Sequence, residues 1–152
     1  MLNLKKKIIM KKFNFSEAEK IVIKLGSSIV TDAGNGLDER CLSSLIKQIS
    51  ILSSQDKKVI LVSSGAIVAG LKKLGIKKKP KILSELQSAA AVGQMDLVRM
   101  YEKLFSDNDL ISAQVLLTHN DLSDRKRYLN ARSTIFNLIK NNVIPVINEN
   151  DT

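Results

Sequence analysis

Four short apolar runs recur along the chain, and the segments between them carry a different period. The runs are IVIKL at 21–25, VILV at 59–62, DLISAQVLLT at 109–118 and VIPVIN at 143–148. Short runs rich in Val, Ile and Leu and bounded by turn residues read as strands, and IVIKL reads as a buried one. Leu42, Leu45, Ile46, Ile49 and Leu52 repeat at helical spacing within residues 37–54. AIVAGLKKLG predicts a helix ending near Gly75, where a left-handed glycine suits a helix stop. Further helices are expected from Ile82 to about Phe105 and over RKRYLNARSTIFNLIKNN. Ala89, Ala90, Ala91 and Gly93 predict close packing of the first of these against a neighbour. Apolar strands alternating with helices define an α/β fold: a layered, mostly parallel sheet with helices on both faces. Pro145 in the last run suggests a strand end, a bulge or an edge.

Length and composition narrow the possibilities. A chain of 152 residues fits one domain. No apolar run approaches the roughly 18 residues that a membrane helix needs. The start, MLNLKKKIIMKKFNF, lacks the apolar core and cleavage site of a secretory signal. Residues 1–19 read as a basic extension, with Met10 an alternative initiator and a solvated tail preferred over a membrane or nucleic-acid role. Cys41 is the single cysteine, which excludes an internal disulfide; its place in a helical pattern suggests packing. No Cys/His cluster has zinc spacing, and a reducing cytoplasm is the default compartment. The net charge of +9 invites nucleic acid as a partner. Its distribution argues otherwise: lysines gather in the tail and around Lys72–Lys81, and few aromatics are present to stack on bases. There is no internal repeat and no low-complexity linker.

Parallel sheets of this kind place ligands beyond the carboxyl ends of their strands. The segments there are GSS, SSGA, LTHND and NENDT, each small or polar. Lys24 is the one charge inside IVIKL. At a strand end its ammonium either faces a ligand or merely reaches water. Gly26 lets a ligand approach the main chain, and Ser27 and Ser28 add hydroxyl and amide donors, a set suited to polyphosphate. Ser63, Ser64 and Gly65 sit where a helix begins, so free N–H groups can attract an anion, although Ser64 also suits a helix N-cap. GAIVAGLK only approximates a P-loop: Leu71 follows the second glycine, Lys72 is displaced, and no Ser or Thr follows it. No GxGxxG occurs. Asn148, Glu149, Asn150 and Asp151 can bind an ammonium or a metal, or form an Asx-rich turn. His119, the only histidine, reads as incidental.

Taken together, IVIKLGSS, ILVSSGAIVAG, QSAAAVGQ, QVLLT, DRKRYLNAR and VIPVINENDT resemble the amino-acid kinase family, in its order and at its spacings. The resemblance runs from about Ile21 to Thr152, so residues 20–152 are taken as the N-terminal, substrate-side part of such a kinase domain. LNAR followed by VINENDT is its most specific part. It points to the branch that phosphorylates glutamate rather than to carbamate, nucleotide-monophosphate or acetylglutamate kinases. The resemblance implies ATP-dependent phosphorylation of the L-glutamate γ-carboxylate to γ-glutamyl phosphate, the first step of proline biosynthesis, with ATP and Mg²⁺ in the cytoplasm. By position, Lys24 would contact the ATP phosphates and stabilise charge on the transferred group. Gly26, Ser27 and Ser28 would line the phosphate path, and Ser64, Gly65 and Asp151 would hold glutamate. No residue is assigned as a metal ligand. Family members continue into a half that supplies the nucleoside pocket. The resemblance therefore implies a homo-oligomer or a complementing C-terminal half, and an isolated chain that is poorly stable or self-associating, inactive, and open along its last strand. A ligand-binding remnant and a basic nucleic-acid module are the alternatives.

Overall fold

The computed structural model describes residues 17–32 and 36–152; the basic start of the chain, with Met10, and residues 33–35 lie outside them. The elements are β1 (Lys20–Lys24), α1 (Ser27–Val30), β2 (Thr31–Asp32), β3 (Gly36–Leu37), α2 (Glu39–Ser54), β4 (Lys58–Val62), α3 (Ala66–Lys73), α4 (Leu83–Ser106), β5 (Ile111–Leu117), α5 (His119–Ser123), α6 (Arg125–Lys140) and β6 (Val143–Glu149). Strands β1, β4, β6 and β5 form one sheet in that order, and every pairing in it is parallel. β2 and β3 make a small antiparallel ribbon beside it.

The strand order decides where the helices go. The chain steps from β1 to β4 and from β4 to β5 in one direction, then back from β5 to β6. Right-handed crossovers put α2 and α3–α4 on one face of the sheet and α6 on the other. The core follows. Leu42, Ile46 and Ile49 of α2 and Leu97, Tyr101, Leu104 and Phe105 of α4 pack on Val59, Leu61, Ile144 and Val146. The opposite face is thinner: α6 buries Ile139 alone. Among the described residues no helix is long and apolar enough to cross a membrane.

α3 and α4 touch backbone to backbone. A Cβ on Gly70 would fall 1.8 Å from the carbonyl oxygen of Ala89, and one on Gly93 would fall 1.9 Å from that of Ala66. Ala89 and Ala90 are buried at this contact, as the run of small residues predicts, whereas Ala91 faces solvent.

Several expectations change. β1 is an edge strand: Val22 is 63% exposed and the burial alternates along it. Parallel strands fill both faces only when both are covered, and here α6 lies over β6 and β5. The last strand is not open. β6 pairs with β4 on one side and β5 on the other, so the edges are β1 and β5. Pro145 is fully buried within that interior strand and pairs with Ala113. Ser63 N–H donates to the Ile147 carbonyl, so Ile147 turns its polar backbone groups towards β4. Pro145, two residues earlier, turns the same way, just ahead of the first β4–β6 pair at Leu61 and Val146. Its missing N–H falls where no ladder bond is needed. Cys41 is exposed, not packed; Leu42 takes the inward position.

Three elements carry too few residues for periodicity to reveal them: α1, the β2–β3 ribbon and α5. The last had a legible signal. Thr118 caps α5, accepting from Asp121 N–H while the Asp121 carboxylate accepts from Thr118 N–H, a capping box.

Replacing Gly93 by Ala forces α3 and α4 apart, because the obstructing atoms are main chain. The expected loss is roughly 3 kcal/mol of unfolding free energy, at the upper end for overpacked cores. Urea denaturation of the two proteins measures it.

Candidate functional site

The sheet register aligns the strand ends. Lys24 pairs with Val62, and Val62 pairs with Ile147. One step beyond that row lie Leu25–Gly26, Ser63–Gly65 and Asn148–Asp151, three adjacent segments along one rim. Main-chain bonds hold the rim together. Leu25 N–H donates to Val62 O at 2.7 Å, Ser63 N–H to Ile147 O at 2.8 Å, and Asn150 N–H to Leu117 O at 2.9 Å. LTHND, after β5, lies at the opposite edge of the sheet from Lys24, and His119 there is exposed.

Lys24 ends β1 on the same sheet face as Val22, and it is exposed. Among the described residues no ion pair or hydrogen bond occupies its ammonium. Gly26 follows with φ −73° and ψ 160°, an extended conformation open to any residue. A Cβ there would meet nothing closer than 4.0 Å. Neither strain nor packing asks for glycine at this position. Ser27 and Ser28 are exposed and begin α1. The turn's first bonds run from Ile29 and Val30 N–H to Gly26 O, so the N–H groups of Ser27 and Ser28 have no partner within it.

The β4 segment bridges to β1. Ser64 Oγ donates to Leu25 O at 3.1 Å, leaving the hydroxyl's acceptor side free. Ser64 is not a helix cap. Gly65 occupies that position, and no side chain caps α3. Gly65 has φ +109°, and a Cβ on it would press Val30 Cγ1 at 3.3 Å. Here glycine is required, and the tight turn presents the first N–H groups of α3 at the rim.

Asp151 is partly exposed at the β6 end. Burial, and secondarily the charge of Glu149, raise its carboxyl pKa above the ordinary value. An approaching cation would favour the carboxylate form. Among the described residues no group of three or more His, Cys, Asp or Glu is placed to hold a metal ion.

Sequence reasoning named Ser63 and Asn148 within the rim segments but not their burial or their partners; they are the two buried polar side chains among the described residues. Both lie at this rim and both bond to α4. Ser63 Oγ and Tyr101 Oη share a hydrogen bond of 2.7 Å, and Asn148 Nδ2 donates to Gln94 Oε1 at 2.8 Å. Their partners lie far off in sequence, so no local pattern exposes them.

A lysine, bare amides, serines and a carboxylate thus lie along three neighbouring strand ends of a parallel α/β sheet, the rim at which sheets of this class seat their ligands. The profile of the amino acid kinase family matches residues 19–152. The chain belongs to that family. It is 56% identical over 135 residues to the glutamate 5-kinase of Nitrosomonas eutropha, an alignment covering 89% of this chain and 36% of that protein. It is 52% identical over 137 residues to that of Burkholderia ambifaria, covering 90% and 37%. The corresponding figures for Nitrosospira multiformis are 57% over 136 residues, 90% and 37%. The chain thus spans little more than a third of the length of the curated relatives it matches.

Gly65→Ala places a side chain at a φ that L-residues rarely adopt. We expect a loss of about 1–3 kcal/mol in denaturant titrations, the usual cost of one strained residue. Gly26→Ala, with its ordinary φ and open surroundings, should leave stability close to that of the parent.

Proposed function

We propose that residues 20–152 form the substrate-side part of a kinase domain that phosphorylates the γ-carboxylate of L-glutamate with Mg·ATP, giving γ-glutamyl phosphate for proline biosynthesis. The observation that carries this reading is the common rim, which gathers Lys24, Gly26–Ser28, Ser64–Gly65 and Asp151 at three adjacent strand ends. The high identity to glutamate 5-kinases supports the choice of substrate.

The chemistry suits the residues. A glutamate side chain has a pKa of about 4.3, so it is already an anionic nucleophile at neutral pH and needs no general base. The obstacle is repulsion between that anion and the phosphate it attacks. Donors fixed in place lower this barrier without reorganising during the reaction. In this reading the Lys24 ammonium and the N–H groups of Ser27 and Ser28 face the transferred phosphoryl group. The bare Gly26 leaves room for the phosphates. The Ser64 hydroxyl and the amides after Gly65 hold a glutamate carboxylate. Asp151 takes the α-ammonium. ATP supplies the phosphoryl group, and Mg²⁺ bound to its phosphates offsets their charge.

In this reading none of the described residues is assigned to the nucleoside. The open edge of β1 and the exposed Val22 beside it support a further part of the kinase domain, or a second subunit, docking there.

Two measurements test the proposal. Glutamate added to the chain should lower the Asp151 pKa in an NMR titration, because a neighbouring ammonium favours the carboxylate. Binding should weaken as pH falls through the raised Asp151 pKa, and Asp151→Asn should flatten that dependence. If glutamate leaves Asp151 and its neighbours unmoved, the assignment fails. Turnover is measured with the rest of the kinase domain supplied as a second polypeptide. Lys24→Met should lower kcat about a hundredfold while changing glutamate affinity by no more than about twofold.

A further inference from the structure

We infer that Gln94 and Tyr101 of α4 are positioning residues that set the spacing of the two rim segments assigned above to glutamate. The assignment of those segments rests on the proposed function; the positioning itself does not.

The observations converge on one helix. An otherwise apolar core buries two polar side chains, Ser63 at 4% exposure and Asn148 at 5%. Burying a hydroxyl or an amide is unfavourable unless it is hydrogen-bonded, so these positions invite an explanation. Each sits at the end of a strand, β4 or β6, next to a segment the site would use. Each is bonded across the core to α4, Ser63 to Tyr101 and Asn148 to Gln94. Gln94 and Tyr101 are about two turns apart and therefore share a helix face.

The geometry acts as a two-point clamp. Ser63 precedes Ser64 and Gly65, so the Tyr101 bond limits how far that turn moves from α4. Asn148 lies three residues before Asp151, so the Gln94 bond does the same for the β6 end. The helix is itself fixed to α3 through Gly70 and Gly93, and α3 starts from Gly65. The chain closes a loop: rim turn, α3, α4, and back to the rim through two side chains. Both rim segments are thereby referred to one rigid element, and a ligand gripped between them meets a preset distance. Burial drives the Tyr101 hydroxyl up to about 12, so it stays neutral as a partner for Ser63.

The test uses three substitutions in the whole chain, read first without ligand. Tyr101→Phe removes only the hydroxyl. Gln94→Met keeps the side-chain length but not the acceptor, and Gln94→Glu keeps the acceptor. Hydrogen exchange is followed at Ser63 N–H and Asn150 N–H, whose main-chain bonds report the two segments separately. Tyr101→Phe should speed exchange at Ser63 about fivefold and leave Asn150 unchanged, the value of one ordinary hydrogen bond. Gln94→Met should do the reverse, and Gln94→Glu should match the parent. The inference is overturned if either Tyr101→Phe or Gln94→Met moves both amides together or moves neither. It is overturned equally if Gln94→Met behaves as the parent while Gln94→Glu loosens the segment, the pattern of simple packing. A glutamate titration of the same proteins separates the two proposals. A parent chain that ignores glutamate defeats the kinase reading, while the exchange data still decide the clamp.

Discussion

The close approach of α3 and α4 is the contact on which the rest depends. Gly70 and Gly93 allow two backbones to meet where any side chain would collide with a carbonyl oxygen. That contact places α4 over the sheet, where Leu97, Tyr101, Leu104 and Phe105 fill the main core. It also joins core to rim, because α3 begins at Gly65 and α4 reaches Ser63 and Asn148. A helix packed this tightly has little freedom to shift, and a dense interior transmits a fixed position rather than absorbing a displacement.

The rim is built for electrostatics rather than for proton transfer. Its groups are an ammonium, main-chain N–H donors, hydroxyls and one carboxylate with a raised pKa. His119 lies at the sheet edge opposite Lys24, and Cys41 is on the solvent side of α2. Under the proposed function such a set would serve a reaction between two anions, where the task is to hold charge already present. The two faces of the sheet are unequal. One carries α2 and α4 over a full core, while the other is covered only towards β6 and β5. β1, which carries Lys24, is therefore the least enclosed strand.

Much of this architecture was legible from local patterns. The four strands and the long helices α2, α4 and α6 announce themselves by period, and the small residues of α4 announce a close neighbour. The rim segments GSS, SSGA and NENDT are visible as small or polar stretches directly after apolar runs. Pro145 shows the limit of such reading. A proline in an apolar run argues for an edge, yet it sits in an interior strand because its missing donor falls just outside the β4 ladder. Ser64 shows it again. A serine before a helix reads as a cap, but its hydroxyl goes to Leu25 O, a partner 39 positions away.

By itself the sequence determined which residues form strands and helices, that the sheet is parallel, and which short segments crowd its carboxyl ends. Those follow from side-chain period and from turn chemistry, both local. Tertiary structure alone decided the strand order, the exposure of β1, the interior place of β6, and the bonds from Ser63 to Tyr101 and from Asn148 to Gln94. These depend on which distant elements meet, and that is set by crossover handedness and by the fit of α3 against α4, neither of which any single stretch of chain encodes.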